Sequence, residues 1–221
     1  IAPDNPPYVI AEIGANHNGD MDLARTMIDA AKECGAHAAK FQSWDPETLI
    51  AREEYDRNQS YDDSPKKHFG SLEEMVTKYY LRREQHRELA EYCRKVDIDF
   101  ISTPFSIREA DLLDELDVPF FKVASMDINY YTLLDALAER GKPIVLSTGM
   151  ATLWEIDKAV ERLVKRGADR VVLLHCVSIY PPKYKDINLR NIPMLREAFG
   201  LPVGFSDHTI GFSIPLAAAA M

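Results

Sequence analysis

The sequence predicts an α/β protein of the (β/α)8 TIM-barrel class, carried through about seven β/α units. Three observations predict it. Short β-branched runs alternate with amphipathic stretches along the whole chain. The turns from helix back to strand are short, as at 139–143 and 167–169. Polar residues collect where each apolar run ends. Strict βαβα order argues for a parallel sheet, and a barrel carries its chemistry at the C-terminal strand ends. A doubly wound open sheet is the alternative. Strand length, spacing and the strand-end residues suit it less well.

Residues 8–14 (YVIAEIG) read as the first strand. Leu23, Met27, Ile28 and Ala31 have helical spacing, which gives a helix over 20–34 with Asp20 as its N-cap. Residues 36–42 form the second strand. The stretch 43–81 is long, polar and rich in Asp and Lys. It reads as an excursion with one short helix, 72–79, and not as an interdomain linker. Then follow helix 83–96, strand 99–103, helix 108–116, strand 119–124, helix 131–140, strand 143–148 and helix 153–166. Strand 170–175, helix 191–199, strand 202–205 and an apolar helix opening over 211–221 complete the series. An eighth strand and helix would close such a barrel. The run 214–221 has no stop signal, so the sequence predicts one catalytic domain, 1–221, truncated before strand eight.

The bulk numbers narrow the function classes. A chain of 221 residues, 46% hydrophobic, can build one sizeable core. A net charge of −9 argues against nucleic acid as partner, since phosphate backbones need clustered cations. It leaves room for a small anionic substrate held by a few placed cations. No apolar run reaches the roughly 18 residues of a membrane span, and no basic-then-apolar leader opens the sequence. Cys34, Cys93 and Cys176 lie far apart, without a CxxC pair. They read as reduced thiols, buried or partly buried, in a cytoplasmic protein.

The strand ends hold, in order, Glu12 and Asn16, Lys40 and Gln42, Ser102 and Thr103, Lys122, Ser125 and Asp127, Ser147 and Thr148, His175 and Ser178, then Ser206, Asp207 and His208. Lys40 (HAAKFQ) and Lys122 (FFKVAS) are each embedded in an apolar strand. A single buried lysine is more often ion-paired or snorkelling. Two of them, beside hydroxyls at strands three to seven, point to an anion site, because ammonium and hydroxyl groups satisfy phosphate and carboxylate oxygens. Each residue has a blander reading. Glu12 would pair with Lys40 as an interior salt bridge, and His208 would cap a helix. His175 reads as a satisfied core histidine. His17, in the loop GANHNGD, either binds substrate or belongs only to a turn. His37, His68 and His86 read as solvent-facing.

The motifs YVIAEIGANHNGD, AKFQ, FISTPFS, FFKVAS, PIVLSTGM, LLHCVSIYP and GFSDHTIG, in this order from residue 8 to 211, resemble the sialic acid synthase family. The resemblance weakens through 43–80. It implies a condensation of phosphoenolpyruvate with the open-chain aldehyde of an N-acetylated amino sugar, such as N-acetylmannosamine, to give a nonulosonic acid and phosphate. It implies a divalent metal, Mn²⁺ first and Mg²⁺ or Co²⁺ otherwise. It implies Glu12 and His208 as catalytic residues. Lys40, Thr103, Lys122, Ser125, Ser147 and Ser206 would hold phosphoenolpyruvate, and Asn16, Gln42, Asp127, Ser178 and Tyr180 the sugar. His208 would be one metal ligand, with a second histidine expected beyond Met221 in a motif like EKHF. The family's small antifreeze-like C-terminal domain, which lends an Arg across a homodimer, has no counterpart in 1–221. Asp127 stands where relatives can carry Glu, which retracts the carboxylate by roughly 1.5 Å. Ser178 stands where neuraminate-forming bacterial enzymes carry Asn. Both differences, and any 6-phosphate on the sugar, leave the sugar's identity open. Lys66, Lys67 and His68 are the nearest candidates for extra cationic contacts. Two other classes compete: an aldolase-type barrel enzyme forming a Schiff base on Lys40 or Lys122, and a non-catalytic barrel fragment kept for binding.

Overall fold

The computed structural model describes residues 5–59 and 70–221. The chain folds as two compact units: residues 9–118, and residues 119–221 together with the first described residues up to Tyr8.

The unit 9–118 contains, in order, β1 (Ile10–Gly14), α1 (Met21–Glu33), β2 (Ala38–Ser43), α2 (Arg52–Arg57), α3 (Leu72–Lys78), α4 (Arg83–Lys95), β3 (Asp99–Pro104) and α5 (Ile107–Glu115). Its sheet runs β1-β2-β3, all parallel. Asp20 caps α1 as its sequence predicts, accepting from the backbone N–H of Asp22 at 2.8 Å and of Leu23 at 3.1 Å. The buried stripe of α1 is Ala24, Ile28 and Ala31. Phe41 of β2 is fully buried and stacks on Phe100 of β3, ring centroids 5.7 Å apart. In β2 the side chains alternate between faces, so Lys40 and Gln42 share one face while Phe41 and Ser43 share the other.

The excursion after β2 builds a small core of its own from Trp44, Tyr55 and Val76. The Trp44 indole donates to the Val76 carbonyl at 3.0 Å, and the Tyr55 hydroxyl to the Pro46 carbonyl at 2.8 Å. These bonds order α2, a helix the sequence does not announce: it is charged, has no side-chain cap, and buries only Tyr55.

The unit that holds 119–221 contains β4 (Phe121–Val123), α6 (Tyr131–Ala138), β5 (Ile144–Ser147), α7 (Leu153–Lys165), β6 (Val171–Cys176), α8 (Tyr184–Ile187), α9 (Asn191–Phe199), β7 (Val203–Ser206) and α10 (Ser213–Ala219). Its four strands pair in sequence order, β4-β5-β6-β7, all parallel. The parallel β/α order of a (β/α)8 barrel is thus present through its seventh strand. Leu133, Leu134 and Leu137 of α6 and Ile156, Ala159 and Leu163 of α7 are buried in this unit. Each fully buried Leu of this kind contributes roughly 1.5–3 kcal/mol.

Cys34 corrects one expectation. It is exposed at the C-cap of α1, where the chain leaves the helix through Gly35 at φ +80°, beyond the last turn that faces the sheet. Cys93 and Cys176 are buried, and all three thiols are free.

Helix α7 opens on a reciprocal capping box. Thr152 Oγ1 accepts from the Glu155 N–H at 3.3 Å, and the Glu155 carboxylate accepts from the Thr152 N–H at 2.8 Å. Replacing Thr152 by Ala leaves an N-terminal N–H without its partner. Thr152→Ala is expected to lower stability by about 1 kcal/mol, read as a lower urea midpoint with an unchanged denaturant slope.

Candidate active site

In the unit 9–118, polar groups gather where β1, β2 and β3 end. Lys40 is only 7% exposed, and its Nζ forms an ion pair with Glu12 and donates to Thr103 Oγ1 at 3.2 Å. A buried ammonium requires such partners. The register aligns Glu12 with Lys40 and Gln42 with Thr103. An irregularity follows at once, because Gly14 and not Ile13 pairs with Phe41. Glu12 itself is about half exposed, 48% for its side chain. The interior salt-bridge reading of Glu12 therefore describes its contact, while its exposed carboxylate edge stays available to a ligand.

Asn16 and Gln42 differ in their freedom. Asn16 is exposed, but its side-chain amide donates to the Ile13 carbonyl at 2.9 Å and so stabilises its own turn. Gln42 is half-buried, on the Lys40 face of β2. His17 belongs to the turn: it is buried, packs against Phe41, and its Nδ1 accepts from the Gly19 N–H at 3.0 Å. Burial lowers its pKa. His37 is exposed, as expected. His86 is not. It is 1% exposed, and burial pushes its pKa down to about 4. Its physical setting is the sheet-facing side of α4, with Leu89, Ala90 and Cys93. Lys66, Lys67 and His68 lie outside the described residues.

In the unit with 119–221, Lys122 is the organising cation. It is buried, and its Nζ donates to Ser147 Oγ at 2.6 Å and to the Val123 carbonyl at 2.7 Å. After β4 the chain makes a 3-10 turn, Ser125–Asp127, that carries two buried polar side chains. Ser125 Oγ accepts from the Gly149 N–H at 3.0 Å. Asp127 is 8% exposed, and its Oδ2 has no hydrogen-bond partner. Burial raises its carboxyl to about 6, against the pull of the Lys122 ammonium. Ser178 is half-buried, and its Oγ lies 2.8 Å from where a Cβ on Gly149 would stand, so only glycine allows this approach. Thr148 turns its hydroxyl to the Leu174 carbonyl at 3.0 Å. His175 is the satisfied core histidine that its strand position suggests, with Nε2 2.6 Å from the Ile187 carbonyl.

His208 is half-buried just after β7. It is not a helix cap, since α10 begins after Phe212. Its Nδ1 lies 2.9 Å from the Val177 carbonyl. A carbonyl only accepts, so Nδ1 carries the proton, and the neutral ring offers its lone pair at Nε2. The Tyr180 ring, itself exposed, covers the imidazole at 4.0 Å between centroids. Cys176 Sγ is further away, 3.9 Å from Nδ1. Sequence reasoning passed over this thiol, although its place at the end of β6, in register with Ser206, marks it. Burial pushes the Cys176 thiol up, but His208, Ser206 and Ser125 together bring it below its ordinary value. The same contact with Cys176 raises His208 against the effect of its burial. Ser206 is half-buried at the end of β7.

Among the described residues no group of three or more His, Cys, Asp or Glu side chains is arranged to hold a metal. His208 fits the chemistry of one ligand, because a metal-binding imidazole commonly fixes its other ring N–H on a carbonyl. No helix among the described residues is long and apolar enough to cross a membrane.

The NeuB family model matches residues 27–221. An uncharacterized protein of Methanocaldococcus jannaschii is 43% identical over 216 residues, covering 98% of this chain and 59% of that protein. The N,N'-diacetyllegionaminic acid synthase of Campylobacter jejuni is 41% identical over 215 residues, 96% of this chain and 64% of the enzyme. In structure, the N-acetylneuraminic acid synthetase of Leptospira borgpetersenii superposes with a TM-score of 0.84 at 37% identity, over 97% of this chain and 69% of that one. The chain spans about 60% of the length of the curated relatives it matches.

Asp127 makes stability depend on pH. Its carboxyl is held at about 6 in the fold, above the ordinary 3.8. A raised carboxyl stabilises the fold while protonated, fully below pH ~4, and that contribution is lost as pH rises through ~6. The loss amounts to roughly 2 kcal/mol after allowance for solvent screening. Unfolding free energies at pH 4 and pH 7.5 should show this decline in the native protein, and Asp127→Asn should remove it.

Proposed function

This chain belongs to the NeuB family, the sialic acid synthases, and from that membership we propose that the whole protein condenses phosphoenolpyruvate with an N-acylated amino-sugar aldehyde. The products are a nonulosonic acid and inorganic phosphate. One observation carries this reading: each unit buries a lysine at a strand end and turns its ammonium to a hydroxyl, Lys40 to Thr103 and Lys122 to Ser147. Such pairs offer oriented donors and fixed positive charge to carboxylate and phosphate oxygens.

We assign Lys40, Thr103, Lys122, Ser125, Ser147 and Ser206 to phosphoenolpyruvate. Ser125 and Gly149 N–H already share a hydrogen bond that an incoming oxygen could join. Asn16, Gln42, Asp127, Ser178 and Tyr180 are assigned to the sugar. The unpartnered Oδ2 of Asp127 suits a sugar hydroxyl or amide N–H. The sugar is N-acetylmannosamine or a relative, and the C. jejuni enzyme's name favours a diacetamido sugar among these.

In the reaction, C3 of phosphoenolpyruvate attacks the aldehyde carbon and a C–C bond forms. The aldehyde oxygen takes a proton and becomes a hydroxyl. Water adds to C2, and phosphate leaves with the C2–O bond. Glu12, ion-paired to Lys40 and half open to solvent, is the proposed acceptor of the water's proton. Lys122 and Ser147 offset charge on the departing phosphate. His208 would supply one ligand to a divalent cation, Mn²⁺ first, through Nε2. When bound, such a cation supplies Lewis-acid polarisation of a carbonyl oxygen. A homodimer and a cytoplasmic location belong to the same proposal and rest on the resemblance.

The test is an assay of the full-length protein with phosphoenolpyruvate, Mn²⁺ and a panel of N-acyl hexosamines. Phosphate release should match phosphoenolpyruvate consumed, and chelation should stop it. Lys122→Ala should lower kcat/KM by about 100-fold or more. No phosphate release with any sugar of the panel overturns the proposal.

A further inference from the structure

We propose that His86 is a positioning residue for the Lys40–Thr103 pair, acting through a buried hydrogen-bond chain of Ser43 and Ser102. His86 Nδ1 lies 2.9 Å from the Arg82 carbonyl. That oxygen accepts and cannot donate, so Nδ1 carries the proton. His86 Nε2 lies 2.7 Å from Ser43 Oγ. With the ring neutral, Nε2 must accept, and the Ser43 hydroxyl must donate to it. Ser43 Oγ lies 2.6 Å from Ser102 Oγ. Its own proton is committed to His86, so it accepts the Ser102 proton. One backbone carbonyl therefore fixes the direction of every bond in the chain. Ser43 and Ser102 are fully buried, like His86, and burial keeps the imidazole neutral.

The place of this chain in the sheet gives it a role. Strand side chains alternate between faces. Ser43 lies opposite Lys40 and Gln42 in β2, and Ser102 lies opposite Thr103 in β3. The chain therefore clamps β2, β3 and α4 together on one side of the sheet. On the other side, three residues before Ser43 in β2 and one after Ser102 in β3, Lys40 Nζ meets Thr103 Oγ1 at 3.2 Å. Stability alone does not account for it. Burying three polar side chains is close to neutral even when every partner is present, and small apolar residues would fill the same interface. Apolar contacts tolerate sliding, whereas directional bonds of 2.6–2.9 Å hold register. A supporting shell of this kind sets how well an ammonium and a hydroxyl meet one ligand oxygen.

This inference rests on Lys40 and Thr103 serving phosphoenolpyruvate. The test uses the full-length enzyme, with calorimetric titration of phosphoenolpyruvate into the wild type as its first step. Then His86→Leu and Ser102→Ala are compared with it in steady-state kinetics and thermal unfolding. Ser102→Ala keeps the test open should His86→Leu fail to fold. The expected result is a tenfold or greater rise in the KM for phosphoenolpyruvate, with kcat within threefold and the amino-sugar KM unchanged. Folded variants that keep the wild-type KM for phosphoenolpyruvate, whatever their Tm, overturn the inference. So does a rise shared equally by both substrates. No phosphoenolpyruvate binding by the wild type overturns the assignment of Lys40 and Thr103 beneath it, and that failure is distinct because it precedes any substitution.

Discussion

Taking an ammonium out of water is the constraint from which the polar layout follows. The idealised transfer of such an ion into a protein interior is unfavourable by roughly 20 kcal/mol, and several kcal/mol persist after relaxation. Lys40 and Lys122 are both buried within strands. Their neighbours are accordingly fixed by need. Lys40 has a carboxylate from β1 and a hydroxyl from β3, so three adjacent strand ends are drawn to one charge. Lys122 has a hydroxyl from β5 and a carbonyl of its own strand, with the Asp127 carboxylate near enough to feel it. Parallel pairing makes this possible, because it brings all the C-terminal ends of a sheet to the same edge.

The two lysines meet different partners. Lys40 has an ion pair with Glu12 and a hydroxyl from Thr103, while Lys122 Nζ donates to Ser147 Oγ and to the Val123 carbonyl, and burial pushes the Asp127 carboxylate toward its protonated form. In the unit 9–118, burial lowers the pKa of both His17 and His86. At the strand ends of the other unit, the contact with Cys176 raises His208 instead.

How far the sequence discloses this depends on the type of signal. Long amphipathic helices are legible to within two residues, as with 20–34 against Met21–Glu33 and 153–166 against Leu153–Lys165. The fourth strand is less so. Its expected range 119–124 contracts to Phe121–Val123, because Ala124 opens the 3-10 turn that carries Ser125 and Asp127 inward. Helix α2 depends on packing around Tyr55, which no local pattern reveals. The solvent-facing reading of His86 fails, although its spacing is informative. His86, Leu89, Ala90 and Cys93 fall at i, i+3, i+4 and i+7, one helical stripe, and all four are buried. The strand-end lysines are legible because two of them recur at strand ends beside hydroxyls, where one alone would read as ion-paired or snorkelling.

The same local rule gives two histidines opposite capacities. In His86 and His208 alike, a backbone carbonyl holds the Nδ1 proton and leaves Nε2 with the lone pair. In His86 that lone pair is consumed by Ser43 in a fully buried chain, so the ring can only transmit position. In His208 the ring is half-buried beneath Tyr180, with no hydrogen bond to Nε2 among the described residues, so the ring can present a donor to something outside the protein. Tautomer is set in both cases by one backbone carbonyl at Nδ1. What decides between a structural and a binding role is the second nitrogen, and that nitrogen's surroundings are fixed by the sheet and not by the residues next to it in the chain.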